Sequence, residues 1–512
     1  MKKRVLSVLL AGVMALSLVA CGGKKEEKIG NATTDIEINY WNSGLGSEWL
    51  DAMIEAFEAE NPEYNIKYTA SADSASVQSS YGLEDVDTVD LYLGVRNYDI
   101  RYMEPLNDVL EAKAYGDTKT IKEKFMEKYL KLEQSQDGNY YGLTYGGGVM
   151  SLVYNKEMFD KAGITQLPRT TDELTVVCDK LYRASYVPLA HFVEGGYWPF
   201  ISEVWFAQAS GMDYYLNNFY ACTDENGETP SKEVLLKKDG RYEVLKAYEQ
   251  FITPEYTMDG SNTTDHVVVQ TKFLTGSAAM MVNGSWLANE MESIGSTEGF
   301  AMMRLPVISA ITDRTKTIKS ETVLRLVISA IDDVTDGVKE ISEFQKGDGY
   351  EVDGNKISAE DWEIIRQARN MVAANYSGES AYIPTYSTAK EGAKEFLKFM
   401  YSDKGYKIYT ESLHIALPLA FCDGNVDTSD WTSYEAAQYQ VLQTADSIAS
   451  YYIAGKHRIF TDGGASSFPL AAYIQNMCSK NANDRITADE AWTKLVEQVE
   501  GNYDLNWLAN IK

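Results

Sequence analysis

Between Asp35 and Pro62 the chain reads DIEINYWNSGLGSEWLDAMIEAFEAENP, and its hydrophobic period changes part-way through. Ile36, Ile38 and Tyr40 alternate with Glu37 and Asn39, the period-2 pattern of a strand with one buried face. Trp49, Leu50, Met53, Ile54 and Phe57 then recur at helical spacing behind Ser47, a candidate N-cap, until Asn61-Pro62 stops the helix. Between the two lies Trp41-Asn42-Ser43-Gly44-Leu45-Gly46, a glycine-bearing loop that opens with an aromatic and an amide. Strand, loop and amphipathic helix form the opening unit of an open α/β sheet, and such sheets bind ligands at the carboxyl ends of their strands. Trp41 and Asn42 fall there; packing of Trp41 under the helix is the alternative reading.

The preceding residues bear on location. Lys2, Lys3 and Arg4 precede an apolar run from Val5 to Val19, too short to span a bilayer comfortably. The run ends in Leu18-Val19-Ala20-Cys21-Gly22-Gly23, the pattern of a bacterial lipobox in which Cys21 is lipidated and becomes the new N-terminus. Residues 1–20 are therefore expected to be a lipoprotein signal peptide and residues 21–34 a flexible tether, ~45 Å long if fully extended. No other apolar run approaches the ~18 residues of a membrane span, so lipid is the expected membrane attachment. The expected location is the extracellular face of the cytoplasmic membrane of a Gram-positive-type bacterium.

A chain of 512 residues exceeds one ordinary core, so two or more domains are expected. The net charge of −28 argues against a nucleic-acid partner, which needs a basic face. Only four histidines are present, and H-E-x-x-H, G-x-S-x-G and Cys/His metal signatures are all missing. No cofactor, metal or catalytic residue is expected. Asp423-Gly424-Asn425-Val426-Asp427 has calcium-loop spacing, but Thr428 and Tyr434 stand where such a loop needs Gly and Glu. Cys178, Cys222, Cys422 and Cys478 allow three pairings and select none. Cys178 and Cys478 fall in apolar helical patterns that suit buried thiols. The 9 Trp, 35 Tyr and 16 Phe favour a ligand with flat apolar faces and hydroxyls, such as a sugar.

Ile66–Thr69 and Val89–Leu93 read as further strands, the latter breaking at Gly94 before Arg96 and Asn97. Asp137-Gly138-Asn139 is a turn signal, and Gly146-Gly147-Gly148 suits a hinge or a close backbone approach. Five segments then resemble extracellular solute-binding proteins of family 1, the maltose-binding-protein group serving ABC importers. They are FEAENP (57–62), SLVYNKEMFDKAGI (151–164), TGSAAMMVNGSWLANEM (275–291), KEGAKEFLKFM (390–400) and the stretch 466–499, in family order.

The resemblance implies an α/β fold of the two-lobed periplasmic-binding-protein type (type II), with crossing strands between the lobes and the ligand in the cleft. Lobe 1 is expected at 35–148 plus 302–405, and lobe 2 at 149–301 plus 406–512. Residues 299–303 and 323–331 are read as crossing strands, and 332–386 as an insertion on lobe 1 with a helix at 359–374. The implied cleft residues are Trp41, Asn42, Arg96, Asn97 and Tyr145, then Glu194, Tyr197, Trp198, Asn283 and Trp286, and finally Phe460, Asp462 and Phe468. For any of these aromatics taken alone core packing is the commoner role, while Trp205 is read as core and Tyr382 is left outside the site. The resemblance implies a monomeric, non-enzymatic binding protein that captures a carbohydrate, an oligosaccharide, and delivers it to ABC permease subunits. A peptide or other small-solute binder and a surface glycoside hydrolase are the alternatives.

Overall fold

A computed structural model describes residues 32–511 apart from 43, 96–98, 136, 147, 193–195, 375–378, 451–455 and 467–469. The Cys21 lipobox, the signal peptide and most of the tether lie outside the described residues. Following the chain, β1 (Thr34–Trp41), β2 (Tyr64–Ser71), β3 (Leu91–Gly94) and β4 (Leu143–Thr144) belong to one sheet. Next come β5 (Val149–Asn155), β6 (Leu189–Ala190), β7 (Met280–Gly284) and β8 (Phe300–Met302), all in a second sheet. A small meander of β9 (Gln345–Lys346), β10 (Gly349–Val352) and β11 (Asn355–Ser358) follows. Then β12 (Met371–Ala374) rejoins the second sheet, β13 (Ser380–Tyr382) the first, and β14 (Ser447–Ile448) the second again. The orders are β2-β1-β3-β13-β4 and β14-β12-β5-β7-β6, with β8 also on β5.

The opening unit forms as its periodicities predict. Ile36, Ile38 and Tyr40 are buried, β1 runs parallel to both β2 and β3, and helix Glu48–Glu60 buries Trp49, Leu50, Met53, Ile54 and Phe57. Ser47 is the N-cap residue, although its side chain makes no capping bond. At the far end the Asn61 side chain donates to the Phe57 carbonyl at 2.9 Å, closing the helix. The turn at Asp137–Asn139 is present, with Gly138 at φ 84° and Gln134 bridged to Tyr140. Helix Lys390–Met400 spans the segment read as the late helix, and the C-terminal pair appears as Leu470–Met477 and Ala488–Asn502. None of the four described cysteines is in a disulfide, and all four are buried.

Strand pairing divides the chain differently from the expected lobes. Residues 302–374 pack with the second sheet. Thr170 bridges Val307, the Arg169 guanidinium donates to the Ser329 hydroxyl at 2.6 Å, and Ala373 of β12 pairs antiparallel with Met150 of β5. Helix Asp403–Leu413 packs on the first lobe, where Tyr409 meets Trp49 edge-on at 5.1 Å and Lys404 pairs with Glu60 at 2.8 Å. The first lobe thus takes 380–422 rather than 302–405, with Leu419 bridged to Phe125 and Phe421 stacked on Tyr406, and the meander with its helix decorates the second lobe. Residues 323–331, read as a crossing strand, lie inside helix Glu321–Thr335. Leu324, Val327, Ile328 and Ile331 are its buried stripe and Ser320 caps it, so helical spacing overrode the β-branched content. The helix expected over 359–374 stops at Arg369, and 371–374 is β12.

Two of the passages between the sheets meet at their first-lobe ends, where Tyr145 follows β4 and Glu379 precedes β13. The Tyr145 N–H donates to the Glu379 carbonyl at 2.8 Å and binds them together.

Candidate functional site

Trp41 ends β1, and its indole N–H donates to the Ala72 carbonyl at 3.0 Å. Its Cβ lies 2.9 Å from where a side chain on Gly94 would begin, so the adjacent strand end must be glycine for the ring to sit there. The ring is half-buried against a cluster containing Val77, Tyr92 and Tyr382, the last two stacked at 5.1 Å. Asn42 follows. Its backbone is fixed by Ser71 and Gly46, but its side-chain Oδ1 is buried with no hydrogen-bond partner among the described residues. An amide oxygen stripped of water and left unpaired costs ~1–3 kcal/mol, which a hydroxyl or amine donor would recover.

From there the loop turns across to the second lobe. Gly44 has φ +80° and approaches Trp286, which ends the turn after β7. Trp286 is 8 % exposed and lies over Gly284, where a Cβ would overlap its ring. Tyr197 meets it edge-on at 5.3 Å, and Phe192 meets Tyr197 edge-on at 4.9 Å. Burial pushes the Tyr197 hydroxyl above its ordinary value, so the group is a neutral donor and acceptor at any physiological pH. The Gly44–Trp286 contact joins the first-lobe loop that carries Trp41 and Asn42 to the second-lobe aromatic pair of Tyr197 and Trp286. Phe192, which packs on Tyr197, was not among the expected residues; its place in the aromatic-glycine run HFVEGGYWPF was the available signal.

Of the other expected cleft residues that are described, all but Asp462 are packed within one lobe. Tyr145 is fully buried in the first lobe beside Trp49, with 5.7 Å between ring centroids. Trp198 is fully buried against Tyr248 and Phe251, because helix Trp198–Ser210 turns its first residue inward. Asn283 is also fully buried, with its Oδ1 accepting from the Gly284 N–H at 2.8 Å. Phe460 packs on Phe219 and Tyr220 in the second lobe. Asp462 pairs with Arg458 at 2.7 Å on the surface, near enough to Arg101 for its charge to reinforce that of Asp99 there. Arg96, Asn97, Glu194 and Phe468 lie outside the described residues. Trp205 is core as expected, its indole N–H donating to the Pro306 carbonyl at 2.7 Å.

Asp117, Asp403 and Cys422 form the one cluster among the described residues with metal-like ligand spacing. The Lys124 ammonium occupies its centre, 2.6 Å from Asp117 and 2.7 Å from Asp403, and so neutralises the carboxylates that a cation would need. A pocket of about 320 Å³ bounded by Tyr214, Lys237, Lys238, Glu243 and Asp313 shares no residue with the interlobe site. Among the described residues, no helix is long and apolar enough to cross a membrane.

Residues 43–313 match the family described as bacterial extracellular solute-binding protein. An uncharacterised ABC transporter extracellular-binding protein of Pyrococcus horikoshii is 25 % identical over 337 residues, 61 % of this chain and 71 % of that one. A maltotriose-binding protein of Pyrococcus abyssi is 30 % identical over 168 residues, 32 % of this chain and 31 % of that one. Among solved structures, a chitin oligosaccharide binding protein superposes with a TM-score of 0.58 at 17 % identity, covering 92 % of this chain and 99 % of the other. RafE in complex with raffinose gives 0.57 at 13 % identity over 92 % and 98 % of the two chains. Those structural matches establish the two-lobed α/β fold. The chain belongs to the bacterial extracellular solute-binding protein family.

Proposed function

We propose that this protein captures an extracellular carbohydrate, an oligosaccharide, by closure of its two lobes and hands it to the permease of an ABC importer. The observation that carries the reading is the unpaired Asn42 Oδ1 set between Trp41 and the Gly44–Trp286 contact. Indole faces pack on the apolar faces of sugar rings, and a buried amide oxygen accepts a sugar hydroxyl. The maltotriose, chitin-oligosaccharide and raffinose named for similar proteins agree with this chemistry. A ligand shifts the lobes only by its differential affinity for the closed form, so Asn42 on one lobe and Trp286 on the other must both touch it. The protein acts as a monomeric receptor rather than an enzyme, tethered outside the cell by lipid on Cys21.

A thermal-shift and calorimetry panel of oligosaccharides and short peptides tests the ligand class. An oligosaccharide should raise the melting temperature by mass action and be recovered intact. Stabilisation by peptides alone would overturn the carbohydrate assignment, and recovery of hydrolysis products the receptor assignment. Metabolic labelling with a fatty-acid analogue should mark the protein and fail in Cys21→Ala.

A further inference from the structure

Trp286 stands at the start of helix Leu287–Glu290, and groups from outside that segment grip the turn on both sides of the indole. Before it, the Tyr434 hydroxyl donates to the Gly284 carbonyl, and the Ser285 N–H donates to the Val149 carbonyl at 3.1 Å. After it, the Asn289 amide donates to the Leu413 carbonyl at 3.0 Å. Leu413 is the last residue of helix Asp403–Leu413, so this bond joins the Trp286 turn to the first lobe.

His414 follows at φ 52°, a left-handed backbone in which glycine would sit without strain. Its ring is engaged on two sides. Nδ1 lies 3.1 Å from the Glu435 Oε2, and because a carboxylate only accepts, the ring is the donor. The imidazole also stacks on Trp431, with centroids 5.3 Å apart and planes inclined by 18°. The His414 carbonyl accepts the Gln438 amide at 3.0 Å. Glu435 is held ready for its partner by the capping box of helix Ser433–Thr444, where its Oε2 also accepts the Thr432 N–H at 2.7 Å. Tyr434, Glu435 and Gln438 all stand on that helix, which the Ser433 hydroxyl fixes to the second lobe through the Phe300 carbonyl at 2.7 Å. The bonds close a circuit from Gly284 through this helix and His414 to Leu413 and Asn289, with Trp286 between its two ends.

We propose that His414 is a positioning residue for Trp286: its ring, clamped by Glu435 and Trp431, holds the end of the first-lobe helix against Asn289 and so sets the indole in place opposite Gly44. Without the ring, the Leu413 carbonyl is free to leave Asn289, and the turn loosens after Trp286 while Tyr434 still holds it before. That this serves ligand capture rests on the role proposed above for Trp286. The positioning itself is read without ligand, so the two readings fail separately.

Fluorine NMR of the full chain carrying 5-fluorotryptophan tests it, with the Trp286 and Trp198 resonances assigned by Trp286→Phe and Trp198→Phe. His414→Gly suits the backbone and removes only the ring's contacts; it should displace the Trp286 resonance and leave that of the buried Trp198 where it was. His414→Asn should return the Trp286 resonance toward its original position, because asparagine also tolerates the left-handed backbone and its amide can donate to Glu435. Asn289→Ala should displace the same resonance, and combining it with His414→Gly should add no further displacement, as for members of one network. A Trp286 resonance unmoved in His414→Gly overturns the proposal. So does an equal displacement of Trp198, or a His414→Asn spectrum as displaced as that of the glycine variant. Should His414→Gly fail to fold, an unmoved Trp286 resonance in Asn289→Ala overturns it as well.

Discussion

Gly44 and Trp286 meet where the two lobes touch: a Cβ on Gly44 would stand 3.3 Å from the Cβ of Trp286. Gly44 also has φ +80°, a backbone conformation that any other L-residue adopts at a cost of ~1–2 kcal/mol. Gly44→Ala should therefore lower stability by about that amount and also hold the first-lobe loop away from Trp286. Calorimetry should find ligand binding weakened together with the melting temperature. Unchanged affinity would mean that the loop need not approach Trp286 for closure.

Trp286 and Trp198 separate a proposed site residue from a core residue. Trp286 ends a turn at the lobe interface, whereas Trp198 is fully buried among Tyr248 and Phe251. Trp198→Ala should lose ~3–5 kcal/mol of stability by opening a cavity, while the folded fraction keeps its affinity. Trp286→Ala should weaken binding by ~1–3 kcal/mol with a smaller stability loss. Denaturant titration beside calorimetry distinguishes the two. A folded Trp286→Ala protein that binds normally would remove Trp286 from the site.

Lys124 is fully buried between two carboxylates, with a third bond at 2.9 Å to the Tyr401 carbonyl. Lys124→Met should cost ~3–5 kcal/mol, since Asp117 and Asp403 would face each other with their charge uncompensated. Because the ammonium fills the cluster, a chelator should leave the melting temperature of the unaltered protein where it was. A drop on chelation would show that a metal, and not Lys124, organises these residues.

The readable parts of this chain are those where burial and periodicity are local. Ile36 to Phe57 announce a strand and a helix because each element buries one continuous face of its own sequence. The run from Val323 to Ile331 misled because β-branched residues favour strands in isolation, whereas its buried set falls at helical spacing. Lobe membership of residues 302–374 depends on β12 pairing with β5, a long-range choice that no local pattern encodes. The same limit applies to the site. Trp198 and Trp286 both stand in glycine- or proline-bearing stretches, and only the packing of Tyr248 and Phe251 around the first tells them apart.

Asp361 fixes the meander and its helix to the second lobe, and its pH dependence has a definite sign. The fully buried carboxylate accepts the Lys316 N–H at 2.9 Å, the Thr317 N–H at 2.5 Å and the Thr317 hydroxyl. Burial pushes this carboxyl upward, but the bonds from Thr317 and Lys316 outweigh it and hold the group below its ordinary range. A depressed carboxyl contributes stability that is complete above the ordinary value and lost as pH falls through the folded one. Asp361→Asn should therefore cost ~2–4 kcal/mol near neutrality, since a neutral amide has one acceptor oxygen where several donors converge. Urea unfolding at neutral pH and below about pH 3 should show the gap between variant and unaltered protein narrowing in acid. A gap of constant size across that range would mean that the charge on Asp361 contributes nothing, and that shape alone seats the meander.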